Sequence, residues 1–308
     1  AALIPDQANK VKTSFVSHKR GNSQAYQADF LSPALDVNPG AMIETKSHFF
    51  AGAKEKKLLD AYNESLKIDK FDLAIDFGWF WFFTKPFAEA LSYFNGMFGN
   101  YGIAILILTV IIKLIFFPLA NKSYRAMSKM KALQPKMEEL KERFGEDRQR
   151  MNTELMNLYK TEKVNPAAGC FPIIVQIPVF FALYKVLFVS IEMRHAPFFG
   201  WIHDLSAPDP LGLFTAFGLI PWDVPETLAI INIGIWPIIM GATMFLQQKL
   251  NPTPTDPIQA KIFMFMPFIF TFILAPFPAG LVIYWAWNNV LSIAQQWVIM
   301  RRMGVKIS

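Results

Sequence analysis

One basic residue, Lys113, interrupts an apolar run over residues 105–118 whose only other polar member is Thr109. On a helix rising 1.5 Å per residue, the eight residues from Lys113 to Asn121 put the ammonium about 12 Å from the polar end of the run. A lysine stem covers roughly half of that, so simple snorkelling to lipid headgroups is strained. No Asp or Glu occurs in any of the five apolar runs long enough to approach a membrane span, so the amine is either neutral or in contact with water. Polar residues at matching depth favour water. Gln176 and Ser292 lie at a depth like that of Lys113 in their own segments, Thr271 lies close to it, and Thr109 shares the face of Lys113. Tyr284, Asn288, Ser292 and Gln295 form a stripe at i, i+4, i+8 and i+11. Such a set either glues helices together by hydrogen bonds or lines a wet, positively charged cavity open to one side. The chemistry available is charge attraction and hydration, not bond making. No Walker A sequence is present, and His195, His203 and Asp204 share a loop without a further ligand. The single cysteine, Cys170, excludes an intrachain disulfide framework and a Cys-rich metal site. The expectation is therefore a protein that is not an enzyme and has no catalytic residues, no metal and no cofactor.

The elements that must position these residues follow from composition. The chain of 308 residues is 53% hydrophobic with 30 Phe, and only 18% charged, against about 25% charged in soluble domains. A bilayer core of about 30 Å needs roughly 20 apolar residues as a helix. Five segments meet or approach that length: 101–121, 168–190, 228–248, 262–278 and 280–300. The last two join through a Pro- and Gly-rich turn and read as a hairpin with its tip at one face; a pair of interfacial helices is the alternative. Residues 122–163 hold eleven Lys/Arg and residues 192–227 only one, Arg194. By the positive-inside rule, 122–163 and the C-terminus are cytoplasmic, and the N-terminal region is exported. Export needs a signal or an earlier span, so the protein is expected to extend further at its N-terminus.

Residues 1–76 are polar and neutral, with strand-like alternation at 13–16 and 25–31 and a helical stretch at 54–66. That is too little apolar surface for a self-sufficient core, so this reads as the end of a domain. Residues 77–99 are dense in Trp and Phe but interrupted by Lys85, Pro86 and Glu89, which suits an interfacial amphipathic helix better than a sixth span. Residues 122–163 carry apolar residues at 130, 133, 137, 140 and 144 and again at 151, 155 and 158. This is the seam of an antiparallel helical hairpin. It is either a solvated linker or, through Met130, Met137 and Met151, an adaptable surface that receives apolar segments.

Several motifs together resemble the bacterial YidC members of the YidC/Oxa/Alb membrane-protein insertase family. They are Lys113 five residues before Pro118, Met-x-Lys-Met-x-x-Leu-Gln-Pro-Lys at 127–136, Tyr-Lys-x-Glu-Lys-Val-Asn-Pro-x-x-Gly-Cys-Phe-Pro at 159–172, Trp-Ile-His-Asp-Leu-Ser-Ala-x-Asp-Pro at 201–210, Thr-Asp-Pro at 255–257, and Phe-Pro-x-Gly-Leu-Val-x-Tyr at 277–284. The resemblance runs through about residues 77–302. It implies an all-α polytopic membrane protein with a five-transmembrane-helix insertase core over 100–308, a cytoplasmic hairpin, and in 1–76 the end of a β-rich periplasmic sandwich domain. It implies a hydrophilic groove, open to cytoplasm and lipid, built around Lys113 where relatives usually carry arginine. Thr109, Gln176, Tyr284 and Trp285 match other groove positions, the last departing from tyrosine. Asn288, Ser292 and Gln295 join them by depth. Met130, Met137, Met151 and Asp256 fall in regions that meet cytoplasmic partners or substrate. The implied function is insertion and folding of inner-membrane proteins without nucleotide hydrolysis. The implied partners are nascent membrane proteins, the ribosome, the Sec translocon and membrane lipids, with no sequence-specific nucleic-acid binding. A secondary transporter or channel is the rival, and intramembrane carboxylates and paired broken helices would favour it; neither is seen in the sequence.

Overall fold

Proline and glycine decide where the apolar runs stop being helices. The computed structural model describes residues 1–7, 9–144, 147–165, 171–229, 231–251 and 257–304. It is mostly helical and separates into two units, Ala1–Asp76 and Phe77–Ser308.

The first unit holds β1 (Ala2–Ile4), β2 (Lys12–Arg20), β3 (Ser23–Leu31) and β4 (His48–Phe50), paired as two antiparallel ribbons, β1 with β4 and β2 with β3. Gly21, at φ +64°, supplies the left-handed backbone of the β2–β3 loop. Both faces of that ribbon are open, with Phe15 81% and Tyr26 79% exposed, and two strands alone are marginal in water. The apolar contacts of the unit gather instead around Leu59 of α1 (Lys56–Ser65), Phe71 and Ile75, with Phe50 edge-on to Tyr62 and Phe71.

In the second unit α2 (Trp81–Phe98) buries Thr84, Phe87 and Leu91 and leaves Trp81, Phe82, Tyr93, Met97 and Phe98 exposed. Gly99, at φ +66°, ends it. Asn100 then caps α3 (Tyr101–Ile115) by accepting from Ile103 N at 3.1 Å. The first apolar run, expected as one helix over 101–121, breaks at Phe116. Pro118 has no N–H to continue α3 and sits instead in the first turn of α4 (Phe117–Ala132), which leaves at 70°. α5 (Gln134–Phe144) and α6 (Arg148–Thr161) form the hairpin, closed by Leu133, Met137, Leu155 and Val164. α7 is Phe171–Val189 and α8 the short Glu226–Ala229. The third run, expected as one helix from 228, opens on the end of α8, and its long helix α9 (Ile235–Leu250) begins only after the extended Gly234, which bridges back to Gly212. α10 (Pro257–Leu274) ends before the turn containing Pro276 and Pro278, and α11 covers Ala279–Arg302.

The core joins α2, α3, α7 and α11 through residues such as Leu91, Ile105, Leu183 and Ile283. The connection after α7 closes one end of it. Ala279 N and Gly280 N donate to Ala207 O and Leu205 O at 2.7 and 2.9 Å, so the loop backbone satisfies the first orphan donors of α11. Asp209 explains the Trp-to-Asp-Pro motif: its carboxylate accepts from Trp201 Nε1, Leu211 N and Trp236 N, joining the loop to the first turn of α9. At the opposite end, Lys131 of α4 donates to Lys249 O at the end of α9, 2.7 Å away.

The fourth and fifth runs, expected as a hairpin, are consecutive, but α10 rests mainly on α9. The reason is a close approach at Gly241, where a Cβ would lie 2.1 Å from Thr271 Oγ1. Among the described residues no single helix is long and apolar enough to cross a membrane; the bent pair α3–α4 reaches that length and composition jointly.

The α9–α10 approach is testable. Gly241→Ala should destabilise the folded protein in detergent by about 1–3 kcal/mol, the usual effect of overpacking, read as a lowered unfolding temperature. Thr271→Ala removes the nearest atom and leaves the next at 3.4 Å, so the double variant should recover much of the loss. Equal melting of Gly241→Ala and the parent would refute the packing account.

Candidate functional site

Lys113 occupies the last turn of α3, where the exposed carbonyls of a helix end favour a cation. Its Nζ donates to Ser292 Oγ of α11 at 2.7 Å, and Ser292 Oγ in turn donates to Asn288 O at 2.8 Å. Ser292 is buried and Lys113 half-buried. No carboxylate lies within ion-pair distance of Lys113 among the described residues. An ammonium has three donors, so one hydroxyl leaves two to be hydrated. The space for that is a cleft lined by Lys113, Gln176, Ile112, Phe116, Tyr124 and Val179. About 40 Å³ of it admits the centres of water molecules, room for on the order of three waters.

The other expected groove residues divide. Gln176 of α7 reaches across the bundle, its Nε2 donating to the buried Tyr284 hydroxyl. Thr109 is buried with its hydroxyl turned back to Ile105 O. It therefore contributes shape rather than a free donor. Asn288 is buried on the same α11 face as Ser292. Gln295, half-buried one turn further on, has an amide nitrogen without a partner, so it adds an unused donor to that face. Trp285 departs from the Tyr284 side. Its ring meets Phe180 and Phe270 at 4.7 and 5.8 Å between centroids, away from Lys113. Thr271, near the depth of Lys113, faces Gly241 and bonds Pro267 O.

The sequence places Gln296 below Ser292 on α11 but does not separate a second polar face, which Gln296 shares with Asn289. Asn289 donates to Thr243 Oγ1 at 3.2 Å, and the fully buried Gln296 donates to Leu250 O and Asn251 Oδ1 at 3.0 and 3.2 Å. Their spacing of seven marks one helix face, and that face binds α11 to α9. Lys185 on α7 was also passed over; its stem packs on Gly78, which is at φ +72°.

In the hairpin, Met137 is buried and Met130 and Met151 pack against the seam, with Tyr159 OH 3.8 Å from Met137 Sδ. The three methionines expected on a receiving surface thus face inward here, because the seam of a two-helix pair has no other apolar cover; Met156 is the exposed one. Asp256 lies outside the described residues. Among the described residues no three His, Cys, Asp or Glu side chains come together as a metal site. His195 Nδ1 lies 2.9 Å from Asp204 Oδ2. Burial alone pushes the Asp204 carboxyl up, but hydrogen bonds from Ser206 Oγ and N and from His195 N outweigh it and hold the carboxyl below its usual range.

Residues 93–306 match the family described as "60Kd inner membrane protein", and residues 1–90 match "YidC periplasmic domain". The chain is 59% identical over 307 residues to a protein of Agrobacterium fabrum named membrane protein insertase YidC, covering 100% of this chain and 51% of that protein. Proteins of the same name from Rhizobium meliloti and Methylobacterium nodulans are 58% and 56% identical, and the chain covers 51% and 50% of their lengths. The chain thus spans about half the length of these relatives. A crystal structure titled as an active YidC insertase with its first transmembrane domain resolved has the same fold at TM-score 0.55, with 22% identity over 82% of this chain and 57% of that one.

The Asp204 turn has a pH signature. A depressed carboxyl contributes stability that is complete above its unfolded value and is lost as pH falls through the folded one. Hydrogen exchange at Ser206 N should therefore stay slow through neutral pH and accelerate only below about pH 3.8. Asp204→Ala should exchange fast at every pH; slow exchange in that variant would refute the account.

Proposed function

The chain belongs to the YidC family of membrane protein insertases, and from that premise we propose that it inserts membrane proteins into the bacterial inner membrane through the cleft at Lys113. The observation that carries this reading is a half-buried ammonium held by one serine hydroxyl beside a small cleft with room for water. An insertase lowers the cost of moving a short polar segment through hydrocarbon, which is several kcal/mol for each unsatisfied backbone group. A half-channel of water shortens the apolar path. The fixed charge attracts acidic flanks of the incoming chain, without nucleotide hydrolysis and without a catalytic residue. Helix length supports the same reading: the 15 residues of α3 and 16 of α9 span roughly 22–24 Å at 1.5 Å each, less than a bilayer core of about 30 Å. A locally thinned membrane follows.

In this reading α3, α7, α9, α10 and α11 are the spans, α2 lies along the outer surface, and residues 1–76 are the end of the periplasmic domain. The α5–α6 hairpin, Asp256 and the basic C-terminus face the cytoplasm, where the ribosome engages, and the Sec translocon is a partner within the membrane. For the seam methionines to meet substrate, the α5–α6 pair must open.

Substitution of Lys113 tests the mechanism in nucleotide-free liposomes carrying a substrate with an acidic exported tail. Unit charges 4 Å apart interact by about 4 kcal/mol at an effective dielectric of 20, so charge reversal acts on rates by orders of magnitude. Lys113→Arg should retain insertion, Lys113→Ala should lose most of it, and Lys113→Glu should be worst, with little effect on neutral tails. Wild-type rates in Lys113→Ala would end the charge account, and solute flux without insertion would point to a transporter.

A further inference from the structure

The connection from α7 to α9 makes a closed excursion over residues 212–234. Gly212 and Gly234 pair as an antiparallel bridge, Leu213 N donates to Ile233 O, and Phe214 N donates to Asn232 Oδ1. Space demands glycine at both ends of this neck: a Cβ would lie 2.0 Å from Asn232 Oδ1 at Gly212 and 2.5 Å from Asp209 Cβ at Gly234. Beyond the neck the chain exposes Phe217, Leu219, Ile220 and Trp222 at its tip, with Leu213 and Ile231 exposed beside the neck. Leu219 is 85% exposed. An apolar cluster left open by so constrained a loop calls for a partner. We infer that residues 212–234 anchor the protein in the outer leaflet of the bilayer, with the tip among the upper acyl chains and Asp223 among the headgroups. The inference rests on the membrane reading and orientation given above.

Three observations support a lipid partner. First, the backbone of the tip needs no water. Every peptide N–H of residues 212–222 has an acceptor in the loop or at its neck. Thr215 and Phe217 donate to Gly212 O, Ala216 to Leu213 O, Gly218 and Ile220 to Thr215 O, Leu219 to Ala216 O and Trp222 to Ile220 O, while Gly212 donates to Pro210 O. Pro221 has no N–H, and Trp222 Nε1 donates to Asp223 O. A loop standing in water does not require such closure, because water pairs with exposed amides; in hydrocarbon each unpaired donor is costly. Left-handed backbone at Ala216, Phe217 and Gly218, with φ +46°, +57° and +88°, makes the closure. That conformation is unfavourable for the two residues with side chains and is held by the same hydrogen bonds. Second, residues 212–234 contain Asp223 and Glu226 and no Lys, Arg or His. Attraction to anionic lipid therefore cannot hold the loop, and apolar insertion with a tryptophan at the boundary can. A protein-binding patch is marked instead by arginine and by hydrogen-bonding groups, and the tip offers neither arginine nor an open backbone donor. Third, the neck stands at the right level. Asp209 ties it to the first turn of α9 by accepting from Trp201 Nε1 and Trp236 N. The 16 residues of α9 rise about 24 Å, less than a hydrocarbon core of about 30 Å. The first turn of α9 thus lies at the outer edge of the hydrocarbon and not beyond it.

The test uses the 308-residue chain carrying Cys170→Ser and Leu219→Cys, with a nitroxide on the new cysteine, in vesicles of phosphatidylcholine. Collision with oxygen, which enters lipid, and with a nickel chelate, which stays in water, reads the depth of the label. Labels at Phe268→Cys on α10, where the side chain is exposed, and at Lys141→Cys on the hairpin, also exposed, set the lipid and water ends of the scale. The Leu219 label should lie about 5–10 Å below the phosphate level, and added phosphatidylglycerol should not deepen it. Ile220→Asp with Trp222→Asp in the same chain should return the label to the water end. A water-exposed Leu219 label beside a lipid-exposed Phe268 label would overturn the anchor and leave the membrane reading intact. Water exposure of both would overturn both. Shielding from both reagents would mean cover by protein, a second copy if the labels also broaden each other, and would overturn the lipid partner. A label that stays deep in the double aspartate variant would report its own partitioning and overturn the anchor as well.

Discussion

An ammonium group at the foot of an apolar helix is the constraint around which the second unit is arranged. Among the described residues Lys113 has no carboxylate to pair with, so its charge needs a hydroxyl, the negative end of a helix and water together. The break at Phe116 provides the second of these by ending α3 within a turn of the lysine. Ser292 provides the first, and it is itself anchored to Asn288 O, so its lone pairs are directed by α11. The 70° departure of α4 leaves the space beneath Lys113 that the cleft occupies. Without that bend, an uninterrupted helix would continue through it.

The two ends of the bundle are finished differently. At the loop end two carboxylates are well satisfied: Asp209 accepts three donors and Asp204 accepts from Ser206 and from His195. The first N–H groups of α11 are met by loop carbonyls. At the hairpin end, buried atoms of Gln248, Gln295 and Gln296 lack partners, and an unsatisfied buried amide costs about 1–3 kcal/mol unless hydrated. This asymmetry arises from side chains on α9 and α11. Gly241 holds α10 close to α9.

Much of this was readable before any coordinates. The isolation of Lys113 among apolar residues, the absence of acids in those runs, the turn propensity around Pro276 and Pro278 and the seam of the hairpin are all local patterns, visible because helix periodicity assigns each residue to a face. The motifs carried the family with them. Periodicity does not say which neighbour a face meets. Thr271 and Gln176 lie at similar depths, yet one faces Gly241 and the other Tyr284. Met137 was as good a candidate for an open surface as Met156 until the antiparallel pairing buried it. Lys185 drew no notice beside Lys113 because its role depends on Gly78, more than a hundred residues away. Trp285 follows Tyr284 directly and yet belongs to a different cluster, since adjacent helical residues point about 100° apart.

The sequence by itself therefore determined that a charge must sit within apolar surroundings and which helices are available to surround it, because both depend on residue type and short-range spacing. Only the tertiary structure decided that the charge rests on Ser292, that Gln176 closes onto Tyr284, and that Asn289 and Gln296 bind α11 to α9. Those contacts join residues separated by 179, 108 and about 46 positions. At such separations the register is selected by the packing of whole helices and by where Pro118 and Gly234 end them, and no local pattern encodes it.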